Sequence, residues 1–316
     1  MIALADHAAT PRPARRKLAA SFGQRARTPR CPDAPRLDGR LALVTGATGG
    51  IGLEIARGLA RRGAELILPS RNPERGAALR ERLRADGGGS ARCHLVPMDL
   101  EDLESVRAGA RAAQEIASGR AIDLVIENAG VWPSRYAQTR QGHEIAFGVN
   151  VLAHFALRQQ LARAGALARA RVVVLTGDIY ILESACTPDF RWQGRRGGMR
   201  AYCRSKLGNL WIAAELLRRA PSLEDYVAHP GVVATNLGGR VGALGERLKR
   251  LVMIEPELGA QMPLVCATQP GLENGAYYHN ALGHMRLSER DPARDLDAAA
   301  ALWETCEALA RGVGPA

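Results

Sequence analysis

From Arg40 onwards the chain alternates short, nearly continuous apolar runs with longer segments of helical periodicity. That alternation restricts the fold more than any other feature. The runs are "LALVT" (41–45), "AELILPS" (64–70), "RCHLVPMDL" (92–100), "AIDLVIENAG" (121–130), "ARVVVLTG" (170–177), "DYVAHPG" (225–231) and "GAYYHN" (275–280). Between them lie "IGLEIARGLARRG", "NPERGAALRERLRAD", "EDLESVRAGARAAQEIAS", a long helical stretch around 142–165 and "YCRSKLGNLWIAAELLRR". Strands that are apolar throughout are buried on both faces, and strand–helix alternation builds a parallel sheet with helices on either side. The pattern therefore predicts an α/β fold. It is a single doubly wound domain over 39–316, with a mostly parallel, seven-stranded sheet.

Composition removes several other classes. No run of 18 apolar residues occurs, so no membrane span is expected. The six cysteines (31, 93, 186, 203, 266 and 306) have no CxxC or Cys/His spacing, which reads as reduced thiols in a cytoplasmic protein without a metal site. The formal charge of +11 raises the question of nucleic acid. Residues 1–38 hold eight basic and three acidic side chains, so about five of those charges sit there. The rest are spread over mixed faces such as "RERLRAD", without interleaved aromatics, so nucleic-acid binding is not expected. Residues 1–38, rich in Ala, Arg and Pro, read as a disordered basic tail.

"TGATGGIG" (45–52) stands between the first strand and the first helix. There the chain must turn sharply and let its backbone approach a pyrophosphate, which favours residues without Cβ, while the helix N-terminus offers unpaired N–H groups. The second strand ends in "LPSRN", with Arg71 where an NAD site would carry a carboxylate. An arginine fork suits a 2′-phosphate, so NADP(H) is expected in preference to NAD(H).

These motifs occur together with "MDL" (98–100), "NAG" (128–130), "VNVLAHF" (149–155), "YCRSK" (202–206) and "HPGVVAT" (229–235), over about 40–310. In that order the chain resembles the short-chain dehydrogenase/reductase family, and is most similar to its retinol-dehydrogenase-like and protochlorophyllide-reductase-like branch. The resemblance implies a Rossmann fold and a small carbonyl or alcohol substrate. It also implies cofactor contacts at Gly46, Thr48, Gly50, Ile51, Gly52, Asp99, Leu100, Asn128, Ala129 and Gly130, and nicotinamide contacts at Pro230, Gly231, Val233 and Thr235. Tyr202, Lys206 and Asn150 match three members of the family's catalytic tetrad. The segment 237–256 stands where family members vary their substrate lid.

Lysine is rare here: Lys17, Lys206 and Lys249 are the only ones beside forty arginines. Four residues apart on a helix, Tyr202 and Lys206 share a face. A compact cation there is expected to lower the tyrosine pKa and help it exchange a proton with a carbonyl oxygen. The tetrad's serine is missing, because its position falls on Gly177 in "VVVLTGDIY". Thr176 is the first candidate to replace its hydroxyl, protonated Asp178 the second, and no side-chain donor the third. Alternative readings are reduction of an activated C=C bond, and a catalytically weak dinucleotide-binding protein.

Overall fold

A computed structural model describes residues 6–7, 20, 23–86, 91–194, 196–234 and 253–312. The seven expected strands all form and all run parallel: β2 (Leu41–Val44), β3 (Glu65–Ser70), β4 (Cys93–Pro97), β5 (Leu124–Glu127), β6 (Arg171–Leu175), β7 (Glu224–His229) and β8 (Tyr277–His279). Among the described residues, two further strands enlarge the sheet to nine. β9 (Gly283–Met285) returns antiparallel on β8, and the two-residue β1 (Asp6–His7) lies parallel on β9. Both additions are too short to produce an apolar pattern, which is why the periodicity shows only seven.

The spatial order is β1-β9-β8-β7-β6-β5-β2-β3-β4, so the order of connection reverses between β2 and β5. In open α/β sheets that reversal leaves a crevice beyond the C-terminal strand ends, where ligands bind. One face is covered by α4 (Leu103–Ala117), α5 (Ala153–Arg163), α6 (Gly197–Arg219) and α8 (Leu296–Arg311). The other carries α2 (Gly50–Arg61), α3 (Pro73–Asp86) and α7 (Gln261–Thr268). Leu43, Ile67 and Val125 face the first group while Leu66, Leu68 and Ile126 face the second. Each such side chain contributes roughly 1.5–3 kcal/mol on burial.

Two features depart from the sequence expectation. Residues 23–38 pack onto the domain, through the one-turn helix α1 (Gln24–Arg27) and the buried side chains of Gln24 and Leu37. Instead of a tail, this segment is part of the fold. The long helix around 142–165 is also interrupted. It starts at Glu144, whose carboxylate caps Phe147, and passes through a π turn at Gly148–Leu152 before α5 begins. Asn150 sits in that turn, and π turns inside helices are frequent at functional sites.

Candidate active site

The loop after β2 is built for close approach. Gly46 has φ +68° and Gly50 φ +55°, both in the left-handed region. A Cβ on Gly46 would lie 2.8 Å from Asn128 Nδ2, and one on Gly52 2.3 Å from the Gly46 carbonyl. The α2 N-cap is Gly49, with no side-chain cap and no acidic residue in the first turn, so its N–H groups remain available to an anion. Thr45 Oγ1 accepts from the backbone N–H groups of both Asn128 and Ala129, and Asn128 Nδ2 donates to the Thr45 carbonyl at 2.8 Å. These bonds lock the "TG" and "NAG" turns together. Backbone and side chains thus fit a dinucleotide pyrophosphate. Thr48 is exposed at the loop tip, and Asp99 and Leu100 follow β4, with Asp99 accepting from the Glu101 N–H.

Arg71 ends β3 on the surface and is paired with Glu101, Nη1 to Oε1 2.6 Å. At the opposite end of the crevice Pro230, Gly231 and Val233 follow β7. Val233 shares its packing with Ile51 against Gly259, which joins the turn after β7 to the glycine loop. Thr235 and 237–252 lie outside the described residues.

Tyr202 and Lys206 project side by side from α6. The Lys206 ammonium is 5.5 Å from the centroid of the Tyr202 ring, is buried, and donates to the Leu175 carbonyl at 2.9 Å. Desolvation lowers its pKa to about 8. Tyr202 stacks on Trp132, ring centroids 4.7 Å apart and 7° from parallel. Burial pushes its phenol up, and Cys203 adds to the rise, whereas the sequence led us to expect a lowered value. The Tyr202 hydroxyl makes no hydrogen bond to any described residue. Trp132 was not singled out from the sequence, although its place two residues after "NAG" was a usable signal.

The Asn150 side chain is fully engaged. Its Oδ1 accepts from Val131 N at 2.7 Å, and Nδ2 donates to the Val131 carbonyl at 3.0 Å and to Ser205 Oγ at 2.9 Å. Ser205 Oγ in turn donates to the Tyr202 carbonyl at 2.8 Å. Asn150 therefore fastens the Trp132 loop to the tyrosine helix. Gly130 lies between, since a Cβ there would be 3.3 Å from Asn150 Oδ1 and 3.8 Å from Lys206 Nζ.

Thr176 is not placed to replace the missing serine. Its hydroxyl donates to the Lys206 backbone carbonyl at 3.0 Å, inside the fold. Asp178 is committed too: it accepts from the Tyr277 hydroxyl and from His279 Nε2 (3.0 Å), with His229 Nε2 at 3.8 Å. Ligand atoms of Asp178, His229 and His279 lie within 4.8 Å of one another. His279 Nδ1, however, accepts from the N–H groups of Ala281 and Leu282, which places its proton on Nε2, a donor and not a metal ligand. Gly177 itself is extended, and a Cβ there would meet only Ile179 Cγ2, at 3.9 Å.

A short-chain dehydrogenase family model matches residues 40–179. Dehydrogenase/reductase SDR family member 13 of Homo sapiens is 37% identical over 92% of this chain and 78% of its own length. Retinol dehydrogenase 12 of Mus musculus is 34% identical over 88% and 89%. An uncharacterised protein from Mycobacterium paratuberculosis has a crystal structure 31% identical in sequence, with TM-score 0.70, over 90% of this chain and 98% of that one. The chain therefore belongs to the short-chain dehydrogenase/reductase family of oxidoreductases, in its retinol-dehydrogenase-like branch.

Proposed function

We propose that this protein is an NADP(H)-dependent oxidoreductase that interconverts a carbonyl compound and its alcohol, with an apolar substrate and in a reducing, cytoplasmic setting. The observation that carries the reading is the Tyr202 hydroxyl, free of described partners, with the buried Lys206 ammonium beside its ring and Trp132, in the loop after β5, stacked on it. A bound nicotinamide dinucleotide supplies or receives the hydride. Tyr202 gives its phenolic proton to the substrate oxygen during reduction, or takes it back during oxidation. The resulting phenolate is offset by the Lys206 charge, and a lysine pKa of about 8 allows proton exchange near neutrality. Asn150 and Ser205 keep the Trp132 loop and α6 in register.

Arg71 supports NADP by charge, since no carboxylate ends β3. The apolar substrate class is supported by the aromatic rim. Only 4% of the chain is aromatic, yet Trp132 stacks on Tyr202, and Trp192 meets Tyr136 edge-on at 5.8 Å beside the same loop. The mouse relative's name, retinol dehydrogenase, is that of an enzyme acting on an apolar alcohol. The six described cysteines are free thiols, and no described helix is long and apolar enough to cross a membrane.

The test is to follow NADPH absorbance with a panel of apolar aldehydes and ketones, and NADP reduction with their alcohols. Turnover that disappears in Tyr202→Phe supports the proposal. Tight NADPH binding without turnover on any member would replace it with a dinucleotide-binding role.

A further inference from the structure

Resting on that reading of the site, we infer that the N-terminal segment is a working part of the active site, and that Gln24 is a positioning residue for the nicotinamide-side turn. Gln24 belongs to no motif of the domain, yet its side chain is 2% exposed and is spent on that turn. Its amide donates to the Val232 carbonyl at 3.1 Å and accepts from the Val232 N–H at 3.1 Å, so one side chain grips both polar groups of one peptide residue. Asn280, just beyond β8, donates to Gln24 Oε1 and to Thr28 Oγ1, both at 3.1 Å, and so fixes the amide's orientation.

Gly231 gives independent support. It has φ +93°, and a Cβ there would stand 2.5 Å from both Asn280 Nδ2 and Gln24 Oε1. The turn thus takes its shape against the N-terminal segment, and any side chain at 231 would have to evict it. Val232 and Val233 then carry the geometry onward. Ile254 N donates to the Val232 carbonyl, Ala234 N donates to the Ile254 carbonyl, and Val233 reaches the packing of Ile51 in the glycine loop.

The neighbouring residues of the segment hold the returning limb. Arg25 pairs with Glu255 (2.7 Å), Arg30 with Glu257 (2.8 Å), and the Cys31 N–H donates to Gln261 Oε1 (2.8 Å). The two ion pairs are exposed and contribute little on their own. They matter as register marks that keep 23–31 laid across both 231–234 and 254–261. The Val232 N–H is partly shielded from water, and deprived of its partner such a group is costly, so the turn without Gln24 must rearrange or admit water.

The experiment compares two ligands that differ at the nicotinamide end. NADPH carries the ring, while 2′-phospho-ADP-ribose has the same adenosine, phosphates and ribose without it. In Gln24→Leu, similar in volume but unable to pair, we expect NADPH binding to weaken at least tenfold and binding of the fragment to change less than twofold. kcat should fall with little change in the substrate KM. Gln24→Glu keeps the acceptor for Val232 N–H and Asn280 but loses the donor, and should show the same split at smaller size; it also serves if the leucine variant does not fold. Equal weakening of both ligands, or no weakening of either in the variants, overturns the inference and leaves the cofactor reading intact. A wild-type protein that binds neither ligand removes the cofactor reading, and the inference with it.

Discussion

Thr176 and Lys206 are joined head to tail: the threonine hydroxyl donates to the lysine backbone carbonyl at 3.0 Å, while the lysine ammonium donates to the carbonyl of Leu175, one residue before the threonine. The end of β6 and the Tyr202–Lys206 face of α6 are therefore one hydrogen-bonded unit. The hydroxyl nearest the missing serine serves to hold the lysine. Thr176→Val should cost about 1 kcal/mol of stability, the worth of one neutral buried hydrogen bond. It should slow turnover only in proportion to any loss of folded protein, which denaturant unfolding beside steady-state kinetics will show. A hundredfold loss of kcat in a fully folded Thr176→Val would restore the hydroxyl as a donor to substrate.

Gly177→Ser should raise kcat. The position is extended, a Cβ there meets nothing closer than 3.9 Å, and the family's tetrad carries a serine hydroxyl at this point. One preorganised donor to a developing oxyanion is worth roughly 10²–10³ in rate elsewhere. A gain of about tenfold or more in kcat on the best substrate is expected, and an unchanged or lower kcat would show that the site compensates by other means.

The activity should fall as pH rises through about 8, where the Lys206 cation is lost. Burial lowers this pKa from 10.5, so the charge that offsets the Tyr202 phenolate disappears earlier than for an exposed lysine. Lys206→Arg keeps a charge at every pH and should abolish this limb in a pH–rate profile. The bulkier guanidinium should still reduce kcat/KM more than tenfold, over ~1.4 kcal/mol. A nearly wild-type rate in Lys206→Arg would show that charge alone suffices.

Cofactor choice should respond to Glu101 as well as Arg71. The Arg71–Glu101 pair is exposed on both sides and worth at most about 1 kcal/mol, so a 2′-phosphate can replace the carboxylate. Titrations should show NADPH bound more tightly than NADH, with the preference reduced in Arg71→Ala. Glu101→Gln should tighten NADPH severalfold and leave NADH unchanged. Equal affinities in the wild type would contradict the assignment.

Asp225→Asn should stabilise the protein at alkaline pH. The Asp225 carboxylate is buried, and desolvation raises its pKa to about 7, with Arg158 pulling it down, Glu127 pushing it up and the Tyr226 backbone N–H offsetting part of the rise. A raised acid pKa means stability that is full below the unfolded value, near 3.8, and is lost as pH rises through about 7. The melting temperature of the variant should match wild type near pH 4 and exceed it at pH 8. A constant difference across that range would point to packing instead.

What the sequence discloses here is what short-range patterns encode. β2–β8 are apolar runs bounded by glycine or polar punctuation, and Tyr202 and Lys206 are an i, i+4 pair on a helix, so both are legible locally. Partners distant in sequence are not. Glu127, directly before "NAG", has its counterpart in Arg158 on α5, 3.6 Å away and equally buried. Nothing along the chain links them. The Thr176 hydroxyl looked available because its acceptor, a backbone carbonyl on another element, leaves no trace in residue identity. Gln24 was hidden for a related reason: its segment lacks apolar periodicity because it docks by hydrogen bonds and ion pairs more than by an apolar face.

That docking fixes an order of events during synthesis. Gln24 bonds to Val232 and Asn280 across 208 and 256 positions, Arg25 to Glu255 across 230, and β1 pairs with β9. A nascent chain therefore has most of its parallel strands translated before Gln24 and Arg25 meet these partners. Closing so large a loop is slow compared with local strand and helix formation, so the Gln24–Arg25 segment is among the last of the described parts to dock.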